Sequence, residues 1–77
     1  MAVKVLVFGQ LTDITGSTTV SVEDAKDTDE LTRKLHAKYP GLAAMKYVVA
    51  VEKQVISVNT ALHQDNIVAL LPPYAGG

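Results

Sequence analysis

Residues 27–41 read DTDELTRKLHAKYPG and predict one amphipathic helix with signals at both ends. Asp27 and Glu30 have the D-x-x-E spacing of a capping box, in which each side chain accepts a hydrogen bond from a free backbone N–H. Pro40-Gly41 ends the helix, because proline disfavours helical geometry in the preceding residue and glycine permits the exit turn. The apolar positions recur every four residues, at Leu31, Leu35 and Tyr39. One narrow apolar stripe has one sheet face to cover, so the stretch predicts a two-layer α+β fold.

Five short segments around this helix predict β-strands, because they are rich in β-branched residues and end at turn-forming ones. They span residues 3–8, 18–23, 47–51, 55–58 and 67–71. Residues 10–17 are interpreted as a connection and residues 52–54 as a hairpin turn. The order predicts a single domain over 1–77, with a mixed sheet of about five strands and one main helix packed across it. The first and last strands are expected to pair in parallel, and residues 72–77 to form a flexible C-terminal tail.

The two faces of the predicted sheet follow from the alternation of side chains along each strand. On one face lie Lys4, Leu6 and Phe8 of the first strand and Ile67, Ala69 and Leu71 of the last. The lysine identifies this face as the outer one, so the alternate positions should face the helix. The sequence therefore predicts an exposed apolar patch that includes Phe8, Val55 and Leu71 and serves as a binding face. The alternative interpretation is that these residues are ordinary scattered surface residues or a second minor core.

The composition excludes several classes of function. The chain has 77 residues, a formal net charge of −1 and no cysteine. The lack of cysteine excludes disulfides, zinc–thiolate sites, iron–sulfur clusters and a thiolate nucleophile. The charge balance leaves no basic stripe for nucleic acid. The apolar runs fall far short of the roughly 20 residues that span a bilayer, and no signal peptide is evident, so a cytoplasmic protein is expected.

The predicted body carries no pattern of catalytic or metal-binding residues. His36 and His63 lack the spacing of a metal or catalytic pair and are interpreted as surface residues. The serines lack a nucleophile elbow, and the glycines form no phosphate-binding loop. The acidic residues between 23 and 30 are accounted for by helix capping. No metal ligand is therefore predicted.

The last six residues, PPYAGG, combine a stiff start with an unhindered end. Pro72-Pro73 stops the last strand, because neither proline can donate to a β-ladder. A terminal carboxylate on Gly77, preceded by Gly76, can pass through a narrow channel because no side chain obstructs it. A free carboxylate is a poor electrophile, and the chain has no nucleotide site, so another protein would have to activate it. The alternative interpretation is a frayed chain end without function.

Three stretches together resemble the family of molybdopterin synthase small subunits. They are VKVLVFGQL at 3–11, DELTRKLHAKYPGLA at 29–43 and NIVALLPPYAGG at 66–77. The members of this family are sulfur carriers with the ubiquitin-like β-grasp fold, and the resemblance covers essentially the whole chain. Its most specific part is the P-P-x-x-G-G pattern at 72–77.

The resemblance implies a non-catalytic subunit that donates sulfur during molybdenum cofactor biosynthesis. An adenylyltransferase of the ubiquitin-activating type would use ATP to adenylate Gly77, which is then converted to a thiocarboxylate. The large subunit is expected to hold the active site, where the sulfur passes to cyclic pyranopterin monophosphate. The carrier itself would bind no cofactor. Partner contacts are expected at Phe8, Val55, Leu71, Pro72, Pro73, Tyr74, Ala75 and Gly76.

The chain departs from the family pattern at a few positions. Family members often have Val at the position of Tyr74, Ser or Thr at Ala75, Asn at Glu52, and an acidic turn with glycine at 63–66. These differences concern tail contacts and loops rather than the Gly-Gly end. Two related functions stay open. One is a sulfur carrier of thiazole synthesis, which usually lacks the Pro-Pro pair. The other is a ubiquitin-like modifier that is conjugated through Gly77 to lysines of target proteins.

Overall fold

Residues 2–73, which the computed structural model describes, form five strands and two α-helices. In chain order the elements are β1 (Ala2–Val7), α1 (Leu11–Thr15), β2 (Thr19–Glu23), α2 (Thr28–Lys38), a 3₁₀ helix (Pro40–Ala44), β3 (Val48–Val51), β4 (Gln54–Ile56) and β5 (Ile67–Leu71). The strand order across the sheet is β2-β1-β5-β3-β4. β5 pairs in parallel with β1, and the other neighbours are antiparallel. The predicted mixed sheet with a parallel central pair is therefore confirmed.

The start of α2 has the predicted capping arrangement. Asp27 Oδ1 accepts a hydrogen bond from Glu30 N at 2.8 Å. Glu30 Oε1 accepts in turn from Lys26 N at 2.8 Å, one residue before the cap position. Leu31 and Leu35 are fully buried in the core. The helix therefore begins at its capping box and buries the apolar stripe that the sequence predicted.

The core lies between α2 and one face of the sheet and is aliphatic throughout. Val5 and Val68 are partners in the central parallel pair, and each is 0% exposed. Full burial of such a side chain stabilises the fold by about 1.5–3 kcal/mol, so the two central strands anchor the domain. The buried members of the core are Val3, Val5, Val7, Leu11, Val20, Val22, Ala25, Leu31, Leu35, Leu42, Val51, Leu62, Val68 and Leu70.

The loop between β4 and β5 is fastened to the start of α2 by hydrogen bonds. The buried Thr28 accepts from Thr60 N at its Oγ1, at 2.9 Å, and donates from its own N to Thr60 O, also at 2.9 Å. Asn59 Oδ1 accepts from Asp29 N at 2.9 Å, which satisfies another free N–H of the first helical turn. Leu62 follows in the core. This polar loop is therefore held in place by the helix N-terminus.

The connection at residues 10–17 differs from the sequence-based expectation, because it contains α1. Leu11 is buried in the core, and Gly16 ends the helix with φ of 73° while its N–H donates to Thr12 O at 2.7 Å. A five-residue helix is too short to show a helical period, so the sequence pattern alone predicts only a connection there.

The predicted three-residue turn at 52–54 is also wrong. The turn consists of Glu52 and Lys53 alone, and Gln54 already belongs to β4. The φ values of the two turn residues are 49° and 70°, the left-handed backbone that a tight type I′ hairpin requires. The remaining predicted element ends agree with the structure within one or two residues.

Candidate functional site

The sheet face opposite α2 carries an apolar groove of about 640 Å³. One row of side chains across four strands shows how the groove forms. Leu6 in β1 is paired with Ala69 in β5. Ala69 is paired in turn with Ala50 in β3, and Ala50 with Val55 in β4. The two alanines lie in the middle of the row, so the larger side chains on both sides stand above a low floor.

Larger apolar side chains surround this floor and stay accessible. Phe8 is 44% exposed, Val55 is 55% exposed and Ile67 is 44% exposed. Leu71 is half-buried beside them. The structure therefore brings together in one groove the three sheet residues that the sequence singled out, Phe8, Val55 and Leu71.

The full lining of the groove is larger than the sequence-based selection. It comprises Leu6, Phe8, Ala50, Glu52, Lys53, Val55, Ile67, Ala69 and Leu71. Alternation along β1 and β5 already indicated that Leu6, Ile67 and Ala69 share the outer face. Ala50 and the hairpin residues were missed because their places depend on the register of β3 and β4. The turn between those strands has no Asn-Gly signal that would have revealed it.

The chain leaves the sheet at one end of this groove. Pro72 follows the last residue of β5 and is buried, whereas Pro73 is exposed. A Cβ on Gly9 would lie 2.7 Å from Pro72 Cγ, so Pro72 packs directly on the glycine backbone. The tail predicted at 72–77 therefore starts with a residue that belongs to the folded body. The other predicted tail residues, Tyr74, Ala75, Gly76 and Gly77, lie outside the described residues.

The groove and this exit form one continuous surface. Phe8 and Leu71 line the groove, and their sequence neighbours Gly9 and Pro72 form the contact at the exit. Phe8 N donates to Leu70 O at 3.2 Å, which extends the pairing of β1 and β5 up to this point. A protein that covers the groove would therefore also lie beside the start of the C-terminal residues.

The two histidines lie apart from this surface. His36 Nε2 is 2.6 Å from Tyr47 OH, and the rings meet edge to face, so His36 is a half-buried packing partner rather than a surface residue. Burial raises the pKa of the Tyr47 phenol above its ordinary value. His63 is exposed, as predicted. Within residues 2–73, no group of three or more His, Cys, Asp or Glu side chains could hold a metal ion.

Neither helix in the described part of the chain has the length and apolar character needed to cross a membrane.

Known structures share this fold. The chain is similar to a chain of the protein–protein complex of subunits 1 and 2 of molybdopterin-converting factor from Helicobacter pylori, with a TM-score of 0.74, 29% identity and 100% of both chains covered. A candidate molybdopterin converting factor subunit 1 from Pyrococcus furiosus matches with a TM-score of 0.83 and 18% identity, over 94% of this chain and 97% of that one. SAMP1 from Haloferax volcanii matches with a TM-score of 0.81 and 21% identity over 100% of both chains.

The sequence also matches a family as a whole. The model of the ThiS family covers residues 5–77, which include β5, the exit at Pro72 and the Gly-Gly end. The β-grasp architecture predicted from the sequence is confirmed by the shared folds. Because the match extends over nearly the entire chain, the protein belongs to the ThiS family of ubiquitin-like, β-grasp sulfur carriers.

Proposed function

We propose that the protein is the sulfur-carrying small subunit of molybdopterin synthase. In this proposal the functional chain ends at Gly77, and an adenylyltransferase of the ubiquitin-activating type uses ATP to convert its carboxylate to an acyl-adenylate, releasing pyrophosphate. A sulfur donor then displaces AMP, which gives a thiocarboxylate. The large subunit transfers this sulfur to cyclic pyranopterin monophosphate. The catalytic groups for the transfer therefore belong to the large subunit.

The observation that carries the proposal is the continuity between the groove and the chain exit. A partner seated on Phe8 and Leu71 lies next to Pro72, from which the C-terminal residues start. One protein can then bind the sheet face and receive the chain end at the same time. The Helicobacter pylori chain that this protein resembles at 29% identity comes from an assembly of subunits 1 and 2, which supports a two-subunit assembly here.

The groove has the character of the centre of a protein–protein interface. Phe8 and Ile67 each keep 44% of their surface exposed in the isolated chain, so a partner can remove apolar area from water at about 25 cal/mol per Å². Most of the binding energy of an interface comes from a few such central residues. Glu52 and Lys53 at the hairpin end supply part of a polar rim.

The activation step must come from the partner enzyme. The sequence has no glycine-rich phosphate-binding loop, so we assign ATP to the adenylyltransferase and no cofactor to the carrier. The requirement for ATP is also the reason that we place the protein in the cytoplasm.

The test combines the full chain with the activating enzyme of the same organism, ATP and a sulfur donor. Intact-mass measurement should show a gain equal to sulfur minus oxygen, located on Gly77 by fragmentation. The matched control is the chain without Gly77, which should gain nothing. Adding the large subunit and cyclic pyranopterin monophosphate should restore the original mass and produce molybdopterin. If the enzyme preparation modifies another sulfur carrier but leaves the wild-type chain unmodified, the proposal is contradicted.

The same experiment separates the two alternatives. A thiazole-synthesis carrier would form the thiocarboxylate but release its sulfur to a thiazole synthase and not to the molybdopterin synthase large subunit. A protein modifier would appear as the mass of the chain attached to lysines of other proteins. The similarity to SAMP1, at 21% identity, shows a common fold and does not favour the modifier.

A further inference from the structure

We infer that Gly9 is a positioning residue for the C-terminal segment: it seats Pro72 and thereby fixes the point at which the chain leaves the sheet. The inference rests on the proposed function, because it concerns the delivery of Gly77 to the activating enzyme and the large subunit. In the sequence pattern, Gly9 marks only the end of the first strand.

The geometry at Gly9 leaves no room for any side chain. Its φ is +62°, a conformation that side-chain-bearing residues rarely adopt. A Cβ there would lie 2.7 Å from Pro72 Cγ and 3.6 Å from Pro72 Cδ. The ring of Pro72 thus occupies the space that a side chain at position 9 would need.

This packing replaces the hydrogen bond that a strand would normally supply. Proline has no backbone N–H, so Pro72 cannot extend the ladder of β5. Pro72 is nevertheless buried, while Pro73 beside it is exposed. The Gly9 backbone is therefore a surface against which the first residue after β5 packs.

Gly9 is itself held from both sides. Its carbonyl oxygen accepts hydrogen bonds from Thr12 Oγ1 at 2.8 Å and from Thr12 N at 3.2 Å, which ties it to α1. On the other side, the N–H of the preceding residue, Phe8, donates to Leu70 O at 3.2 Å, which links the chain just before Gly9 to β5. The first turn of α1, which contains Thr12, thus fixes the Gly9 carbonyl, whereas Gly16 lies at the opposite end of that helix.

The consequence for sulfur delivery is geometric. Five residues, 73–77, follow Pro72, and a chain of that length reaches at most about 18 Å. A displaced Pro72 would move the start of this short segment relative to a partner fixed on the groove. Misplacement of a reacting group by about 1 Å can lower a rate on the order of 100-fold.

The experiment compares Gly9→Ala with Gly16→Ala. Gly16 has φ of +73° and nothing within 4 Å of the added Cβ, so its variant carries similar backbone strain without a clash. The rate of adenylation by the activating enzyme and the amide NMR signals of residues 74–77 are measured for both.

For Gly9→Ala we expect kcat to fall on the order of 10- to 100-fold. KM should change by less than about threefold, since the activating enzyme can still bind to the unchanged groove. The amide signals should shift. Gly16→Ala should match the wild type in all three.

A rescue variant distinguishes a positioning role from general damage. Pro72→Ala removes Cγ and Cδ, the atoms nearest the added methyl group. Gly9→Ala combined with Pro72→Ala should therefore have a higher kcat than Gly9→Ala alone, as a double-mutant cycle would show. Equal kcat for Gly9→Ala and Gly16→Ala, or a loss confined to KM, would overturn the inference.

Two further outcomes are also decisive. If Gly9→Ala fails to fold, Pro72→Ala is tested instead, because it loosens the same contact. It should lower kcat with little change in melting temperature, and a wild-type kcat would overturn the inference. Should the wild-type chain not be adenylated, the proposed function fails. The NMR comparison then decides the inference by itself, and unshifted signals of residues 74–77 in Gly9→Ala would reject it.

Discussion

Glu52 binds Ile67 through both its backbone and its side chain. Glu52 N donates a hydrogen bond to Ile67 O at 3.0 Å, and Glu52 Oε2 accepts one from Ile67 N at 2.6 Å. The carboxylate thus takes the place of a strand neighbour for the first N–H of β5. Both residues line the groove. One hairpin residue therefore both forms the turn and fixes where β5 begins.

Removing this carboxylate should destabilise the domain. Glu52→Ala leaves Ile67 N without its partner, and we expect the free energy of unfolding to fall by about 1 kcal/mol. Glu52→Gln is the control, because its amide oxygen can still accept the hydrogen bond. Urea unfolding of the three proteins measures the difference. If Glu52→Ala unfolds at the wild-type urea concentration, the contact contributes no stability.

A glycine at position 53 should stabilise the hairpin. Lys53 has φ of 70°, and the left-handed conformation costs a residue with a Cβ roughly 1–2 kcal/mol. Lys53→Gly relieves that strain, and after the larger entropy loss of glycine we expect a net gain of about 0.5–1 kcal/mol. The melting temperature should rise by several degrees. Lys46→Gly is the control. Lys46 is exposed and does not have a positive φ, so its replacement should bring no increase.

Truncation of Phe8 should weaken partner binding more than folding. Phe8 is 44% exposed and lines the groove, and a central interface residue contributes about 2 kcal/mol, or roughly 30-fold in Kd. For Phe8→Ala we expect that loss of affinity for the large subunit, with a change in unfolding free energy below about 1 kcal/mol. Val58→Ala is the matched control, because Val58 is 73% exposed and lies outside the groove. Calorimetric titration measures both. Unchanged affinity with a loss of folding stability would identify Phe8 as a core residue.

The cap of α2 should make stability depend on pH in the acid range. The hydrogen bond from Glu30 N, and a second one with the Asn59 side chain, hold the pKa of the Asp27 carboxyl below its ordinary value of 3.8. A lowered folded-state pKa means that the contribution is complete above pH 3.8 and is lost as pH falls through the folded-state pKa. Asp27→Asn can still cap the helix but does not titrate. The stability advantage of the wild type over Asp27→Asn should therefore shrink on acidification. Urea unfolding over a pH series checks this, and a constant difference would contradict it.

Lengthening the chain end should abolish sulfur transfer without affecting the fold. One residue added after Gly77 moves the carboxylate past the reaction centre, and we expect a loss on the order of 100-fold or more. Every buried residue in the described range 2–73 precedes the added one, so we expect the melting temperature and large-subunit binding to stay unchanged. The assay is molybdopterin formation from cyclic pyranopterin monophosphate. Full activity with the extra residue shown by mass to be still attached would remove the terminal carboxylate from the mechanism.

Periodic patterns account for the parts of the fold that could be predicted. The four-residue spacing from Leu31 predicted α2, and alternation along β1 and β5 assigned the two sheet faces correctly. α1 could not be predicted, because one short turn anchored by Leu11 has no period to detect. Its existence depends on burial, which is a property of the whole fold.

The residues of the candidate site could be predicted only where they follow the alternation of side chains along a strand. Phe8 and Leu71 follow from alternation. The groove floor, however, depends on the alignment of Ala50 with Ala69 across two strands. The seating of Pro72 on Gly9 joins opposite ends of the chain, and no local signal reports such a contact. In isolation, Pro72-Pro73 indicates only that a strand ends there.

The central place of β5 has a consequence for protein synthesis. β5 lies between β1 and β3 and is the strand that joins the two halves of the sheet. A polypeptide released by the ribosome before residue 67 would lack that strand and the buried Val68 and Leu70. Such incomplete products cannot assemble the core and should be removed by proteases. A folded copy is thus one in which translation has already passed β5, so chains terminated before that strand cannot compete with finished ones for the same partner.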